Sequence, residues 1–202
     1  LHLYEEEPEK FLQKLNGMYA LAIYNLKQKK LLLARDRVGI KPLYYWLNDG
    51  RIIFASEIKA ILECREVQRK ISKDSLRKFL SFQYVPGNET MFEGIKKLGP
   101  GTMLEFKNGK ARVEKFWELN YNAIDNSLNE KAAAGILEKT LSNSIESHLM
   151  SDVPFGAFLS GGLDSSTIVA LMSQKHQNIK TFTAGFSEDN EEFEFARLAS
   201  ES

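Results

Sequence analysis

Ser160-Gly161-Gly162-Leu163-Asp164-Ser165-Ser166 stands between two stretches of unlike periodicity. Before it, Val153 to Leu159 is short and apolar, as a buried strand is; after it, Ile168, Val169, Leu171 and Met172 fall at helical spacing. A strand, a tight glycine turn and a helix start make a phosphate cradle. Gly161 and Gly162 let backbone N–H groups approach an anion that a Cβ would hold off. The helix that follows aims its unpaired amides and positive dipole end at the same point. Asp164 can hold a divalent cation against phosphates, and Ser160, Ser165 and Ser166 add hydroxyls.

The loop lacks the lysine of the common G-x-x-x-x-G-K-[ST] phosphate loop. It resembles S-G-G-x-D-S, the pyrophosphate-binding loop of the ATP pyrophosphatase superfamily, whose members cut ATP between the α and β phosphates and adenylate an acceptor. A bare Ser-Gly-Gly would be an ordinary strand-to-helix turn, with Asp164 a first-turn charge favoured by the dipole. The aspartate, the serine pair and both flanking elements together favour phosphate binding.

Composition sets wide bounds. The 202 residues suit one large domain or two modest ones. Lys plus Arg and Asp plus Glu both number 27, so no global field draws nucleic acid or an anionic membrane. No stretch reaches the roughly 18 to 20 consecutive apolar residues of a membrane span. No secretory leader opens the chain, and the single cysteine, Cys64, fits a reducing cytoplasm. Leu1 in place of a methionine, and a helix pattern running to Ser202, suggest a piece of a longer protein.

Character changes near residue 125. Met18 to Leu26 and Leu31 to Arg35, joined at Lys27-Gln28-Lys29-Lys30, read as a hairpin. Pro42 to Leu47 and Arg51 to Ala55, around Asn48-Asp49-Gly50, read as a second, and Thr102 to Phe106 with Ala111 to Trp117, around Asn108-Gly109, as a third. Helices are expected over Ser56 to Leu62 and, capped by Ser72, over Lys73 to Leu80. Residues 118 to 128 are polar and aperiodic, as a linker is. Beyond them Ala133, Leu137, Leu141, Ile145 and Leu149 mark a long amphipathic helix, Glu130 to Met150. The loop's strand and helix, a second strand at Lys180 to Phe186 and a helix at Glu191 to Ser202 complete the alternation. It predicts a parallel sheet with helices on its faces and ligands at the strands' carboxyl ends.

Several stretches in family order resemble the glutamine-hydrolysing asparagine synthetases. They are Arg35-Asp36-Arg37-Val38-Gly39-Ile40-Lys41-Pro42-Leu43-Tyr44-Tyr45, Phe54-Ala55-Ser56-Glu57-Ile58-Lys59-Ala60, and Tyr84-Val85-Pro86-Gly87 continuing through Thr90, Phe92-Glu93-Gly94-Ile95, Lys97-Leu98 and Pro100-Gly101. Ser147-His148-Leu149-Met150-Ser151-Asp152-Val153-Pro154-Phe155-Gly156 then runs straight into the loop. The similarity runs from about Phe11 onward.

The resemblance implies an α+β Ntn-type glutaminase sandwich (its C-terminal part, residues 1–124), then an α/β parallel-sheet ATP-pyrophosphatase domain (its N-terminal part, 125–202). It implies ammonia freed from glutamine, channelled to aspartate activated by Mg-ATP as a β-aspartyl-adenylate, giving asparagine, AMP, pyrophosphate and glutamate. Leu159, Ser160, Gly161, Gly162, Leu163, Asp164, Ser165, Ser166 and Ala184 would bind ATP, with Ala184 beside the adenine and Asp164 on Mg2+. Met18, Ile40 and Leu159 match channel-wall positions, although buried Met, Ile and Leu are commonly plain core. Small-molecule substrates, no nucleic acid and no membrane are implied, and a homodimer is left open. Leu1 is not the family's N-terminal cysteine nucleophile, Cys64 cannot replace it, and the remaining synthetase groups would fall beyond Ser202; the 202 residues alone are expected to make no asparagine. Two alternatives remain: a relative with another acceptor acid, such as a β-lactam synthetase or a peptide-cyclising ligase, and a nucleotide-binding chain without turnover.

Arg35, Asp36 and Lys41 form a dense charged patch, read first as bracing a loop that carries Gly39 and Pro42. His2, His148 and His176 are scattered without a second ligand at metal spacing. Glu5-Glu6-Glu7 reads as a solvated face, and Trp46, Trp117 and the tyrosines as core or interface.

Overall fold

The computed structural model describes residues 1–122, 124–185 and 191–201. The chain divides into two compact units, Leu1–Tyr121 and Asn122–Ser202. The first opens with two short helices, α1 (His2–Glu6) and α2 (Phe11–Lys14), followed by β1 (Ala20–Asn25), β2 (Lys30–Arg35), β3 (Tyr44–Asn48) and β4 (Arg51–Ala55). Helices α3 (Ile58–Leu62) and α4 (Lys73–Phe82) then precede β5 (Ile95–Lys97), β6 (Thr102–Lys107) and β7 (Lys110–Lys115).

All three expected hairpins form, as β1–β2, β3–β4 and β6–β7, each antiparallel. They combine into two sheets, ordered β1-β2-β6-β7 and β4-β3-β5. Alternation along β2 explains the layering. Leu32 and Ala34 pack with Tyr4, Phe11 and Leu12 from α1 and α2, while Leu33 packs with Leu43, Tyr45, Leu98 and Leu104. Trp46, next to Tyr45, faces the other way, into a cluster with Ile61 of α3, Val67 and Ile95. Leu33, Leu104, Ile61 and Ile95 are fully buried, each burial contributing roughly 1.5–3 kcal/mol. Trp117, expected at a strand end, lies past β7, where its amide bonds the Gly101 carbonyl at 3.2 Å.

The N-cap expectation for α4 holds: the Ser72 hydroxyl accepts the Ser75 amide at 3.2 Å. Glu57 at the start of α3 makes no side-chain cap and pairs with Lys59 instead.

The second unit contains α5 (Glu130–His148), β8 (Gly156–Phe158), α6 (Leu163–Ser173), β9 (Lys180–Phe182) and α7 (Glu191–Glu201). Phe186 and Ser202, in the expected strand and helix, lie outside the described residues. Asn129 caps α5 by accepting the Ala132 amide at 2.9 Å. The apolar face expected on α5 is present but incompletely covered. Leu141, Ile145 and Leu149 are half-buried, Ala133 and Leu137 are exposed, and no residue of the helix is fully buried. Within this unit α5 is packed chiefly by α6, one helix, which shields only part of a stripe five residues long. Strands β8 and β9 pair in parallel, Gly156 with Lys180 and Phe158 with Phe182.

Candidate nucleotide site

Leu159 follows directly on β8 and roots the loop. It is 1% exposed, packed with Val169 of α6 and Ala196 of α7. Its amide donates to the Phe182 carbonyl at 2.9 Å, and its carbonyl accepts the Thr183 hydroxyl at 2.6 Å. Both polar groups of its main chain are therefore held by the end of β9. Ser160 leaves this anchor at the carboxyl end of the parallel pair, and Ala184, exposed, leaves the neighbouring strand at the same end.

The turn itself depends on Gly161, whose φ is +75°. A Cβ here would stand 2.4 Å from Phe195 Cβ, 2.5 Å from the Phe195 carbonyl carbon and 2.6 Å from the Ala196 nitrogen. Both the backbone conformation and the close approach of α7 thus demand glycine. Gly162, with φ −72° and ψ 163°, is the N-cap of α6 and supplies no capping side chain. The first-turn amides of the helix consequently lack the usual side-chain acceptor and remain available to an anion.

The hydroxyls divide their tasks. Ser165 Oγ donates to the Gly162 carbonyl at 3.2 Å, accepts the Ser160 amide at 3.3 Å and lies 3.0 Å from Ser160 Oγ. It staples the loop closed across its own mouth. Ser166 Oγ is buried without a partner among the described residues, and its residue lines a groove of about 700 Å³ shared with Val169, Ser173, His176, Thr181 and Ser200. Leu163 and Asp164 are exposed, and no ion pair engages Asp164 among the described residues. Also among the described residues, no trio of His, Cys, Asp or Glu could hold a metal.

The expected residues from Leu159 to Ser166, together with Ala184, thus gather at one end of one parallel pair. Met18 and Ile40 belong to the first unit, where they are 44% and 51% exposed, and Leu159 to the second. Thr183 was not singled out by the sequence. Its partner lies 24 residues away, and one threonine past a strand gives no periodic signal.

In the first unit the charged patch turns inward on the main chain. Arg35 donates to the carbonyls of Lys41 at 2.7 Å, Leu98 at 2.8 Å and Gly39. Asp36, 1% exposed, accepts the amides of Ile40 and Lys41, each at 2.9 Å. Burial pushes its carboxyl upward, but hydrogen bonds involving Lys41, Ile40, Gly39 and Tyr19 outweigh this and hold it below its ordinary value. These two side chains brace a loop and present no charge to a ligand.

Two stretches of the chain match known families. A glutamine amidotransferase domain model matches residues 1–117, and an asparagine synthase model matches residues 137–202. Asparagine synthetase [glutamine-hydrolyzing] 1 of Bacillus subtilis is 34% identical over 93% of this chain and 29% of its own length. A putative asparagine synthetase [glutamine-hydrolyzing] 2 of Methanocaldococcus jannaschii is 33% identical over 98% of this chain and 39% of its own. A solved PRPP amidotransferase of B. subtilis, 16% identical, covers 89% of this chain and 35% of its own at a TM-score of 0.35, too slight a likeness to bear on the fold. The chain spans about a third of the length of the curated relatives it matches. It belongs to the glutamine amidotransferase domain family, and the segment that follows matches the asparagine synthase model.

Proposed function

We propose that this protein serves glutamine-dependent asparagine synthesis, with residues 1–124 on the glutaminase side and residues 125–202 binding ATP. The carrying observation is the Ser160–Ser166 loop: a left-handed glycine, an α6 start without a side-chain cap, and an exposed Asp164 with no ion pair among the described residues, all at the carboxyl end of β8. The two family-model matches, in this order along the chain, support the reading.

A carboxylate resists attack by ammonia because its leaving group would be an oxide. Transfer of AMP from ATP to the aspartate side chain replaces that oxide with a good leaving group and releases pyrophosphate. Ammonia then attacks the acyl carbon, AMP departs, and asparagine is formed. The residues' contribution is electrostatic. The amides of the loop and the first turn of α6 are aimed where charge builds on the departing pyrophosphate, and Ser165 fixes their spacing beforehand. Mg2+, held by Asp164 and the phosphates, would supply further neutralisation of that charge. Ala184, across from the loop, would contact the adenine, and Leu159 would close the floor between them. A cytoplasmic setting accords with the lone Cys64, and no described helix is long and apolar enough to cross a membrane.

The test is AMP release by the complete gene product given Mg-ATP and ammonium, with and without aspartate. Aspartate-dependent AMP with equimolar asparagine is expected. ATP binding without aspartate-dependent AMP would reassign the acceptor to another carboxylic acid; no ATP binding at all would overturn the nucleotide reading.

A further inference from the structure

We propose that Thr183 is a positioning residue of the nucleotide site: its hydroxyl ends the β8–β9 ladder one rung early, holding the loop's root and leaving the Ala184 amide free beside the loop. The inference rests on the nucleotide reading above.

With Phe158 opposite Phe182, the rungs of this parallel ladder alternate in a fixed order. The Leu159 amide bonds the Phe182 carbonyl at 2.9 Å. By the same alternation the next rung would join the Ala184 amide to the Leu159 carbonyl. That carbonyl instead accepts the Thr183 hydroxyl at 2.6 Å, and among the described residues the Ala184 amide has no acceptor. Ala184 itself is an exposed residue.

Two consequences follow from the one hydroxyl. Leu159 stays clamped at both its main-chain groups, so Ser160 starts the loop from a fixed point. The unpaired Ala184 amide is left as a donor at the carboxyl end of β9, next to that loop. A flat heterocycle with a ring-nitrogen acceptor, as a purine base has, suits such a donor. A ladder that ran one rung further would hold the loop equally well but consume the donor. The side chain thus separates anchoring from recognition.

The experiment is residue-resolved amide hydrogen exchange on the complete gene product, followed by titration with ATP, for wild type, Thr183→Val and Thr183→Ser. In the wild type the Ala184 amide should exchange as an unprotected group. In Thr183→Val, where the carbonyl is vacated, that amide should gain protection and the ATP dissociation constant should rise about three- to tenfold. Thr183→Ser should restore both. A protected Ala184 amide in the wild type overturns the proposal without any variant. So does Thr183→Val that binds ATP as tightly as wild type while the exchange pattern stays unchanged. A wild type that shows the free amide yet ignores ATP would instead sink the nucleotide reading, and with it the role in recognition but not the early end of the ladder.

Discussion

Gly161 and Phe195 touch backbone to backbone: a Cβ on the first would fall 2.4 Å from the Cβ of the second. The Ser160–Ser166 loop and α7 are therefore packed without room for one methyl group. Gly161→Ala should be among the most damaging small substitutions in the second unit. It adds the roughly 1–2 kcal/mol of a left-handed non-glycine residue to a clash that α7 must move to relieve. Thermal denaturation should show the loss, and ATP affinity should fall at least about tenfold as the loop is displaced. Gly162→Ala, whose nearest added contact is the Ser160 hydroxyl at 3.5 Å, should cost only about 1 kcal/mol, for placing alanine at an N-cap. Equal effects would show that the contact with α7 is unimportant.

Ser165→Ala removes the staple that spans Ser160 and Gly162. The stability cost should be modest, about 0.5–1.5 kcal/mol, because the residue is only half-buried and water can replace part of the bonding. ATP affinity should suffer more than melting temperature does. Calorimetric titration beside a melting curve separates the two.

Asp36 should make the first unit acid-sensitive. Its carboxyl is held below the ordinary value in the fold, so the stabilisation is complete above the unfolded pKa of about 3.9 and is lost as pH falls through the lower, folded value. Urea denaturation followed from about pH 6 to about pH 2.5, a range that brackets the ordinary carboxyl pKa of about 3.9, should show this loss. Asp36→Asn should remove that part of the pH dependence and cost about 1.5–3 kcal/mol at neutral pH. A pH profile unaltered by the substitution would rule the residue out as its source.

Leu33→Ala should destabilise the first unit by about 2–5 kcal/mol, since the side chain is 0% exposed between the two sheets. Leu26→Ala, at a position 80% exposed in the β1–β2 turn, should stay within about 0.5 kcal/mol of the parent. Urea titration of both variants gives the comparison directly.

Hairpins were legible because their turns carry chemistry that little else explains. Asp49 and Gly50 have φ of +45° and +71°, Asn108 and Gly109 +50° and +75°, the pairs of positive values that an Asn-Gly or Asp-Gly turn supplies most easily. The turn at Gly161 was legible for a similar reason, since glycine, aspartate and serine stood in fixed order between a strand and a helix. Strand β5 was not, because three residues hold too little alternation to read. Helices α1 and α2 are five and four residues long and owe their form to packing against β2. The exposure of Leu137 was equally hidden, because an apolar stripe states what a helix can bury and not what is present to cover it. Thr183 escaped because its meaning depends on which carbonyl the register brings to its hydroxyl.

The loop from Arg35 to Lys41 contains its own solvent. Among the described residues, every hydrogen bond that the Arg35 guanidinium and the Asp36 carboxylate make is to a peptide group. Peptide groups are the same whatever side chains they carry. Val38 and Ile40, 63% and 51% exposed on that loop, can therefore be exchanged for other residues without unsettling either charge. The shape of the turn is insulated from its outward face, and that face is left free to follow whatever it meets.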